Sequence, residues 1–282
     1  MVKQSNYPKD EVDACLSVMV ELMTLLGEFR EYFVIVGGWV PYFLMGEKGE
    51  RHIGSLDIDI AIDFKNVPDV TYRTILETMQ KRGYEQNTDQ PFIFYRTVKK
   101  ESGGAVKVQV DLLSGEYGGT GKSHRTQKIQ DVRARKARGA DLAFQHCSRV
   151  TLRKTMPDGA ENEITLKVAN IIPFIVMKGM AIWERYSEKD AYDIYFTIKH
   201  YPDGINALID CFKSHISSPL VREGLEKICA KFSSINFPGP VWVANFFEIE
   251  DSGERERVKR DVFERLKVFL DGLGIKPFNG KV

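Results

Sequence analysis

The spacing of apolar and polar residues divides the chain into two parts. Up to about residue 168, short apolar runs and alternating stretches predict strands with a few helices between them. From residue 171 onward, apolar positions recur about every 3.6 residues, which predicts helices only. We therefore expect an α+β domain over residues 1–168 and an all-helical domain over residues 169–282.

The boundaries of the individual elements follow from the same patterns. In the first part we predict helices over 11–30, 39–45 and 70–81, and strands over 33–36, 56–62, 92–98, 106–112, 150–154 and 163–168. Asp10 is the predicted N-cap of the first helix. Residues 113–140 are Gly-rich and then basic, and no definite element is predicted there. In the second part we predict helices over 171–186, 188–200, 204–214, 219–232, 240–248 and 254–271.

The predicted strand within GSLDIDIAID, residues 54–63, carries an unusual set of acids. Asp57, Asp59 and Asp63 alternate with three isoleucines, so the acids share one face and the isoleucines the other. An edge strand with a solvated polar face is one interpretation. However, neighbouring carboxylates repel each other, and no Lys or Arg alternates with them. A divalent cation such as Mg²⁺, which takes one or two carboxylates, would make the arrangement favourable.

Two further features favour a phosphate and metal site. The sequence VIVGGW places Gly37 and Gly38 between a predicted strand and a predicted helix, where backbone N–H groups can hold a phosphate. A Gly-Gly pair is also a common tight turn without a ligand. The later strand VKVQVDLL carries Asp111, which would join Asp57 and Asp59 if the two strands are neighbours.

This order of motifs resembles the nucleotidyltransferases of the DNA polymerase β superfamily. The shared features are an apolar strand before Gly-Gly, then Ser-x-Asp-x-Asp, then a third Asp on a later strand. The resemblance implies a polymerase β-like nucleotidyltransferase domain with a mixed sheet and flanking helices. It also implies that Asp57, Asp59 and Asp111 hold two Mg²⁺ or Mn²⁺ ions, which clamp the phosphates of an NTP. Gly37, Gly38 and Ser55 would contact the phosphates.

A second motif, VMKGMAIWERYSEKDAYDIYF at 176–196, resembles that of the abortive-infection AbiEii-type nucleotidyltransferases. The matching positions are Lys178, Ala181, Arg185, Lys189, Asp190 and Asp193. In that family a Lys and an Asp from this region reach the nucleotide. The resemblance therefore implies nucleotide-binding roles for Lys178, Lys189 and Asp193, with Lys178 neutralising charge that develops on the phosphates. The resemblance covers roughly residues 33–200 and leaves residues 201–282 unassigned.

The residues of this second motif also have purely structural interpretations. Lys178 lies in a strongly apolar helix, where its ammonium either extends to water or finds an anion. Ser187 and Asp190 have the spacing of a capping box, so Asp190 could serve only the start of the next helix. Lys189 and Asp193 are four residues apart and could simply pair on the helix surface.

Composition restricts the partners. With 282 residues and a net charge of +1, the chain has no overall charge that favours nucleic acid, so basic surface must come from local clusters. The stretch 122–138 contains seven basic residues and only one acid. The basic residues are Lys122, Arg125, Lys128, Arg133, Arg135, Lys136 and Arg138. They could contact an RNA backbone or form a solvated basic loop. Four scattered cysteines, no apolar leader and no 20-residue apolar run favour a cytoplasmic protein without membrane spans.

Together with these motifs, the resemblance implies a metal-dependent nucleotidyltransferase that passes a nucleoside monophosphate from an NTP to a hydroxyl. Asp57 and Asp59 would hold the metal ions, and Asp111 would hold one and orient or deprotonate the acceptor. The AbiEii resemblance implies a toxin or phage-defence protein with a possible antitoxin partner, and tRNA or another RNA as acceptor. The alternatives are transfer to a small molecule such as an aminoglycoside, and a non-catalytic nucleotide-binding module on the same fold.

Overall fold

The structure is a computed structural model that describes residues 3–45, 50–63, 66, 69–100, 103–115, 126–129 and 132–278. For residue 28 and for 69–73, 126–129 and 132–136 it describes the backbone alone. The chain forms two compact units. The sheet unit comprises residues 7–43 and 54–170, and the helical unit comprises 1–6, 44–53 and 171–282. No pattern in the sequence indicated that residues 44–53 group with the helices.

The sheet unit contains four helices and nine strands within the described residues. The helices are α1 (Lys9–Leu26), α2 (Trp39–Leu44), α3 (Asp69–Lys81) and α4 (Ala140–Gln145). The strands are β1 (Phe33–Ile35), β2 (Asp57–Ile62), β3 (Tyr84–Gln86), β4 (Ile93–Lys99), β5 (Ala105–Ser114), β6 (Thr126–Ile129), β7 (Val132–Lys136), β8 (Cys147–Thr155) and β9 (Glu161–Ala169).

These strands form one mixed sheet. Its main order is β3-β4-β5-β2-β1-β9-β8, while β7 pairs with the end of β5 and β6 pairs with β7. The central neighbours β2 and β5 run parallel, whereas β1 and β2 are antiparallel. The three isoleucines of β2 are buried, as the alternation predicts, and α1 contributes further core residues, among them Val18, Met19 and Val20. The predicted α+β class is confirmed.

The local predictions need four corrections. Helix α1 begins at Lys9 after an extended Pro8, so Asp10 lies inside the first turn and is not the N-cap. The helix ends at Leu26 because Gly27 adopts φ +54°, and a 3₁₀ segment follows to Tyr32. The three-residue strand β3 was not predicted. Residues 113–140, for which no element was predicted, contribute the end of β5, both strands β6 and β7, and the start of α4.

The helical unit contains six helices in its described residues. They are α5 (Ile171–Glu184), α6 (Glu188–His200), α7 (Gly204–Lys213), α8 (Pro219–Lys231), α9 (Pro238–Phe246) and α10 (Ser252–Gly272). Each of the six helices begins and ends within about two residues of its predicted bounds. Aromatic side chains fill much of its core, and Tyr192 stacks on Phe246 with ring centroids 4.5 Å apart. Throughout the described part of the chain, we find no helix with the length and apolar character needed to cross a bilayer.

Candidate functional site: acidic strands beside a glycine turn

The acids of β2 and β5 lie on the same face of the sheet. The two strands are parallel neighbours, and their register places Asp59 opposite Asp111 and Asp57 opposite Gln109. Directly opposed residues of adjacent strands project to the same side. In agreement, the Gln109 amide Nε2 donates to Asp111 Oδ1 at 2.8 Å. The register therefore places the three acids that were proposed as metal ligands on one face of the sheet, and leaves their role as ligands a prediction.

The Gly-Gly turn lies directly against these acids. Gly37 adopts φ +69°, and a Cβ at this position would lie 2.1 Å from Asp59 Oδ2. The backbone N–H of Val36 also donates to the Asp59 carbonyl at 3.0 Å. Glycine is thus required at 37 both for the left-handed backbone and for the close approach of the carboxylate. The predicted phosphate turn and the second predicted metal ligand are immediate neighbours.

Asp57 is held through both its side chain and its backbone. The Ser55 hydroxyl donates to Asp57 Oδ1 at 2.5 Å, so this predicted phosphate contact is engaged with a carboxylate. The indole N–H of Trp39 donates to the Asp57 carbonyl at 2.6 Å. Sequence reasoning did not single out Trp39 for the site, because its position after Gly38 indicated only the start of a short helix.

The donor chemistry of this face fits Mg²⁺ or Mn²⁺. Among the described residues, no group of three or more His, Cys, Asp or Glu side chains is arranged to hold a metal ion. Mg²⁺, however, uses one or two carboxylates and completes its shell with water and substrate phosphate. The opposed pair Asp59 and Asp111 can supply those two carboxylates, and the Gly37 turn lies directly against the Asp59 carboxylate.

The second motif forms a buried ionic network inside the helical unit. Lys178 Nζ of α5 lies 2.6 Å from Asp190 Oδ1 and 2.7 Å from Asp193 Oδ2 of α6. Asp193 is fully buried and also pairs with Lys189, while Arg185 Nε donates to Asp190 Oδ2 at 2.9 Å. The Lys178 ammonium is therefore paired with carboxylates of its own unit. The Lys189–Asp193 pair is present but buried, and does not lie on the helix surface as one interpretation proposed.

Asp190 serves two structural purposes at once. Its backbone N–H donates to the N-cap side chain of Ser187 at 3.2 Å, as the spacing predicts for the start of α6. Its carboxylate binds Lys178 and Arg185. The predicted nucleotide-binding roles of Lys178, Lys189 and Asp193 stay predictions, since each already has partners in the network.

His52 joins this network, and the sequence did not predict it. Its Nε2–H donates to Asp193 Oδ1 at 2.9 Å, and its ring stacks on Tyr192 at 5.3 Å. Burial, together with the positive charge of Lys189, lowers the pKa of His52 to about 4, so the ring is neutral near pH 7. The single signal in the sequence was a histidine just before the acidic strand, in a loop without metal-ligand spacing.

The protonation states of the network follow from burial and from its charges. Burial opposes the charged form of Asp193, but Lys178, Lys189 and the His52 hydrogen bond outweigh it and lower the pKa of Asp193. Burial likewise opposes the charge of Lys178, and Asp190 and Asp193 outweigh it and raise the pKa of Lys178. At Lys189 burial prevails, and the pKa of that ammonium is lowered.

The basic stretch 122–138 is described in part. Residues 122–125, 130 and 131 lie outside the described residues, so the predictions for Lys122 and Arg125 are not addressed. The backbone of β6 and β7 forms an antiparallel hairpin, and β7 pairs in parallel with Leu113 and Ser114 at the end of β5. The strand that carries Asp111 is thus bonded, two residues further on, to the strand that carries Arg133, Arg135 and Lys136.

Comparison with known proteins gives distant structural similarities. Neither the protein-family models nor the curated proteins give a match. Among solved structures, JHP933 from Helicobacter pylori is similar at 13% identity and TM-score 0.41, over 92% of this chain and 93% of that one. An antigenic nucleotidyltransferase-like protein from Paracoccidioides brasiliensis is similar at 16% identity and TM-score 0.43, over 78% and 88%. A candidate nucleotidyltransferase from H. pylori is similar at 14% identity and TM-score 0.39, over 92% and 96%.

Proposed function

We propose that the protein is a metal-dependent nucleotidyltransferase, which transfers a nucleoside monophosphate from an NTP to a hydroxyl acceptor. The observation that carries this proposal is the pairing of Asp59 with Asp111 on parallel strands, with the Gly37 turn against the Asp59 carboxylate. Metal-assisted phosphoryl transfer uses carboxylates that hold the metal beside backbone groups that bind the phosphates, and this face offers both residue types.

The residues of the sheet unit take distinct roles in this proposal. Asp57, Asp59 and Asp111 hold Mg²⁺ or Mn²⁺, and the backbone of Gly37 and Gly38 binds the phosphates. When bound, the metal neutralises phosphate charge and stabilises the attacking and leaving oxygens. Asp111 orients the acceptor hydroxyl or accepts its proton. Ser55 holds Asp57 by the hydrogen bond described above and, if it rotates, can reach a phosphate oxygen.

The hairpin of β6 and β7, whose sequence is basic, favours an RNA acceptor, with tRNA as the leading candidate. The hairpin bonds to β5 close to Asp111, so an RNA backbone bound there would bring a terminal hydroxyl near the acids. The AbiEii resemblance adds a toxin or phage-defence role, a nucleotide contact from Lys178, Lys189 and Asp193, and an antitoxin partner. A small-molecule acceptor and a non-catalytic nucleotide-binding module remain the alternatives that the experiment separates.

The direct test is a transfer assay. The protein is incubated with each α-labelled NTP, Mg²⁺ and either total RNA or a set of aminoglycosides, and the labelled species are identified. We expect one NTP to label RNA and pyrophosphate to be released, and we expect Asp57→Asn and Asp59→Asn to abolish both while the circular dichroism spectrum stays unchanged. If the label appears in an aminoglycoside, the acceptor is a small molecule and not RNA. NTP binding without any transfer would support the non-catalytic module.

A further inference from the structure

Trp39 connects the two halves of the candidate site. It follows the Gly37–Gly38 turn directly, begins α2, and has no solvent exposure. Its indole Nε1–H reaches across to β2 and donates to the Asp57 carbonyl at 2.6 Å. One rigid side chain therefore spans from the proposed phosphate turn to the first residue of the acidic strand.

The chain before the acidic strand is shaped around this indole. Gly54 adopts φ +81°, and a Cβ there would lie 3.1 Å from Trp39 Cζ3 and 3.0 Å from Val12 Cγ1. Such spacing is tighter than ordinary contact, so Gly54 lets the chain pass closely over the ring. Tyr42 meets the same ring edge-on at a centroid distance of 5.1 Å. The ring is thus held on several sides, and its N–H is aimed at one carbonyl.

We infer that Trp39 is a positioning residue that sets the spacing between the phosphate turn and the carboxylates of β2. This inference rests on the proposed function. A tryptophan that served only to fill the core would need the volume of its ring, and any acceptor would satisfy its N–H. Here the acceptor is the backbone of a proposed metal ligand, whose side chain is in turn held by Ser55. Removing the N–H while keeping the ring should therefore loosen Asp57 and leave the packing intact.

The test uses two variants of the full chain that remove the hydrogen bond. In one, Trp39 is replaced site-specifically by its benzothiophene analogue, which keeps the bicyclic shape and lacks the N–H donor. The other is Trp39→Phe, which also loses volume. We measure Mn²⁺ affinity in the presence of NTP by electron paramagnetic resonance, the KM for NTP and kcat. We expect the apparent Mn²⁺ affinity and kcat to fall about 10- to 100-fold, because misplacement on the order of 1 Å has such effects, and KM to change less.

Two controls separate positioning from a loss of packing. Met79→Ala removes volume from the same unit at a buried side chain of α3. Trp242→Phe makes the same chemical change in the helical unit. Both should leave Mn²⁺ affinity within about twofold of the native protein, since neither touches the Asp57 carbonyl. If Met79→Ala lowers Mn²⁺ affinity as much as the Trp39 variants do at equal loss of thermal stability, Trp39 is a packing residue.

The outcomes for Trp39 and for the proposed function are distinct. If the native protein binds no Mn²⁺–NTP, or if Asp59→Asn binds it equally well, the proposed function fails. If the native protein binds it, Asp59→Asn does not, and the benzothiophene variant retains full affinity and kcat, the proposed function stands and the positioning role of Trp39 is overturned.

Discussion

The contact between Gly37 and Asp59 places two different requirements on one residue. Position 37 must adopt a left-handed backbone, and it must leave room for a carboxylate oxygen. These two requirements can be separated by experiment, because Gly103 also adopts a left-handed backbone, at φ +94°, but has nothing within 4 Å of the position of its Cβ.

We predict that Gly37→Ala and Gly103→Ala will differ in both stability and metal binding. Each should lose roughly 1 kcal/mol from backbone strain. Gly37→Ala should lose about 1–3 kcal/mol more from the clash with Asp59, and should bind Mn²⁺–NTP more weakly. Urea unfolding and calorimetry measure the two effects. Equal free energies of unfolding in the two variants would contradict the close contact at Gly37.

The lowered pKa of His52 predicts how the free energy of unfolding depends on pH. Its pKa is about 4 in the folded chain, against roughly 6.5 when unfolded. Between these values the unfolded chain binds a proton that the folded chain does not, so the free energy of unfolding decreases as the pH is lowered from 6.5 to 4. The full effect is on the order of 3 kcal/mol.

We predict that His52→Gln will flatten this pH dependence. The variant keeps a hydrogen-bond donor for Asp193 and cannot be protonated. His215→Gln, in the turn after α7 of the same unit, is the control. Urea titrations at pH 4.5, 5.5 and 6.5 measure the slope. A slope in His52→Gln as steep as in the native protein would show that His52 is not buried in its neutral form.

At the scale of elements, helices α5 and α8 pack through glycine. A Cβ on Gly179 would lie 2.2 Å from the carbonyl oxygen of Gly224, so the two backbones touch at this point. The contact holds α5 in place, and α5 is the helix that presents Lys178 to Asp190 and Asp193. Helix packing therefore supports the ionic network directly.

We predict that Gly179→Ala will cost roughly 2–4 kcal/mol, because backbone atoms cannot yield to the added methyl as a flexible side chain would. Gly253→Ala in the first turn of α10 is the control, since its Cβ would meet only Asp251 Oδ1 at 3.4 Å. That change should stabilise by up to about 1 kcal/mol through helix propensity. Thermal unfolding of both variants tests the difference, and a neutral Gly179→Ala would contradict the close packing.

The elements also show how far the sequence could predict the fold. Long periodic segments, such as α5 to α10 and the hairpin of β8 and β9, were predicted because many residues repeat the same pattern. The three residues of β3 and the short strands β6 and β7 carry too few repeats, and they are defined by pairing with distant partners. The predicted start of α1 was wrong because an acidic residue is favoured both at the N-cap and within the first turn, so the sequence does not distinguish the two positions.

At the scale of the whole molecule, the chain passes repeatedly between the two units. Residues 44–53 leave the sheet unit, join the helical unit and return just before Ser55 and Asp57. The sequence predicted the strands that carry Asp59 and Asp111 and the face on which each acid lies, because both strands alternate clearly, but it left open whether the two strands are neighbours. It could not predict the pairing of His52 with Asp193, which joins residues 141 positions apart without a local pattern.

We predict that residues 171–282 expressed alone will be less stable than the same unit within the full chain. The fragment lacks His52, whose imidazole is fully buried against Asp193, Tyr192 and Phe196. Loss of these contacts removes a hydrogen bond from the Asp193 carboxylate and uncovers two aromatic faces. The midpoint of unfolding is measured from the loss of helix content in urea, followed by circular dichroism. A fragment midpoint equal to that of the full chain's helices would show that residues 44–53 contribute nothing to this unit.

The most direct measurement of the central claim is Mn²⁺ binding in the presence of NTP, followed by electron paramagnetic resonance in four single variants. If the acids of β2 and β5 hold the metal on one face, Asp57→Asn, Asp59→Asn and Asp111→Asn should each weaken binding at least about 10-fold. Asp63→Asn, which follows β2 and accepts a hydrogen bond from Asn66, should bind as the native protein does. Unchanged binding in Asp111→Asn, or equal loss in all four variants, would contradict the account.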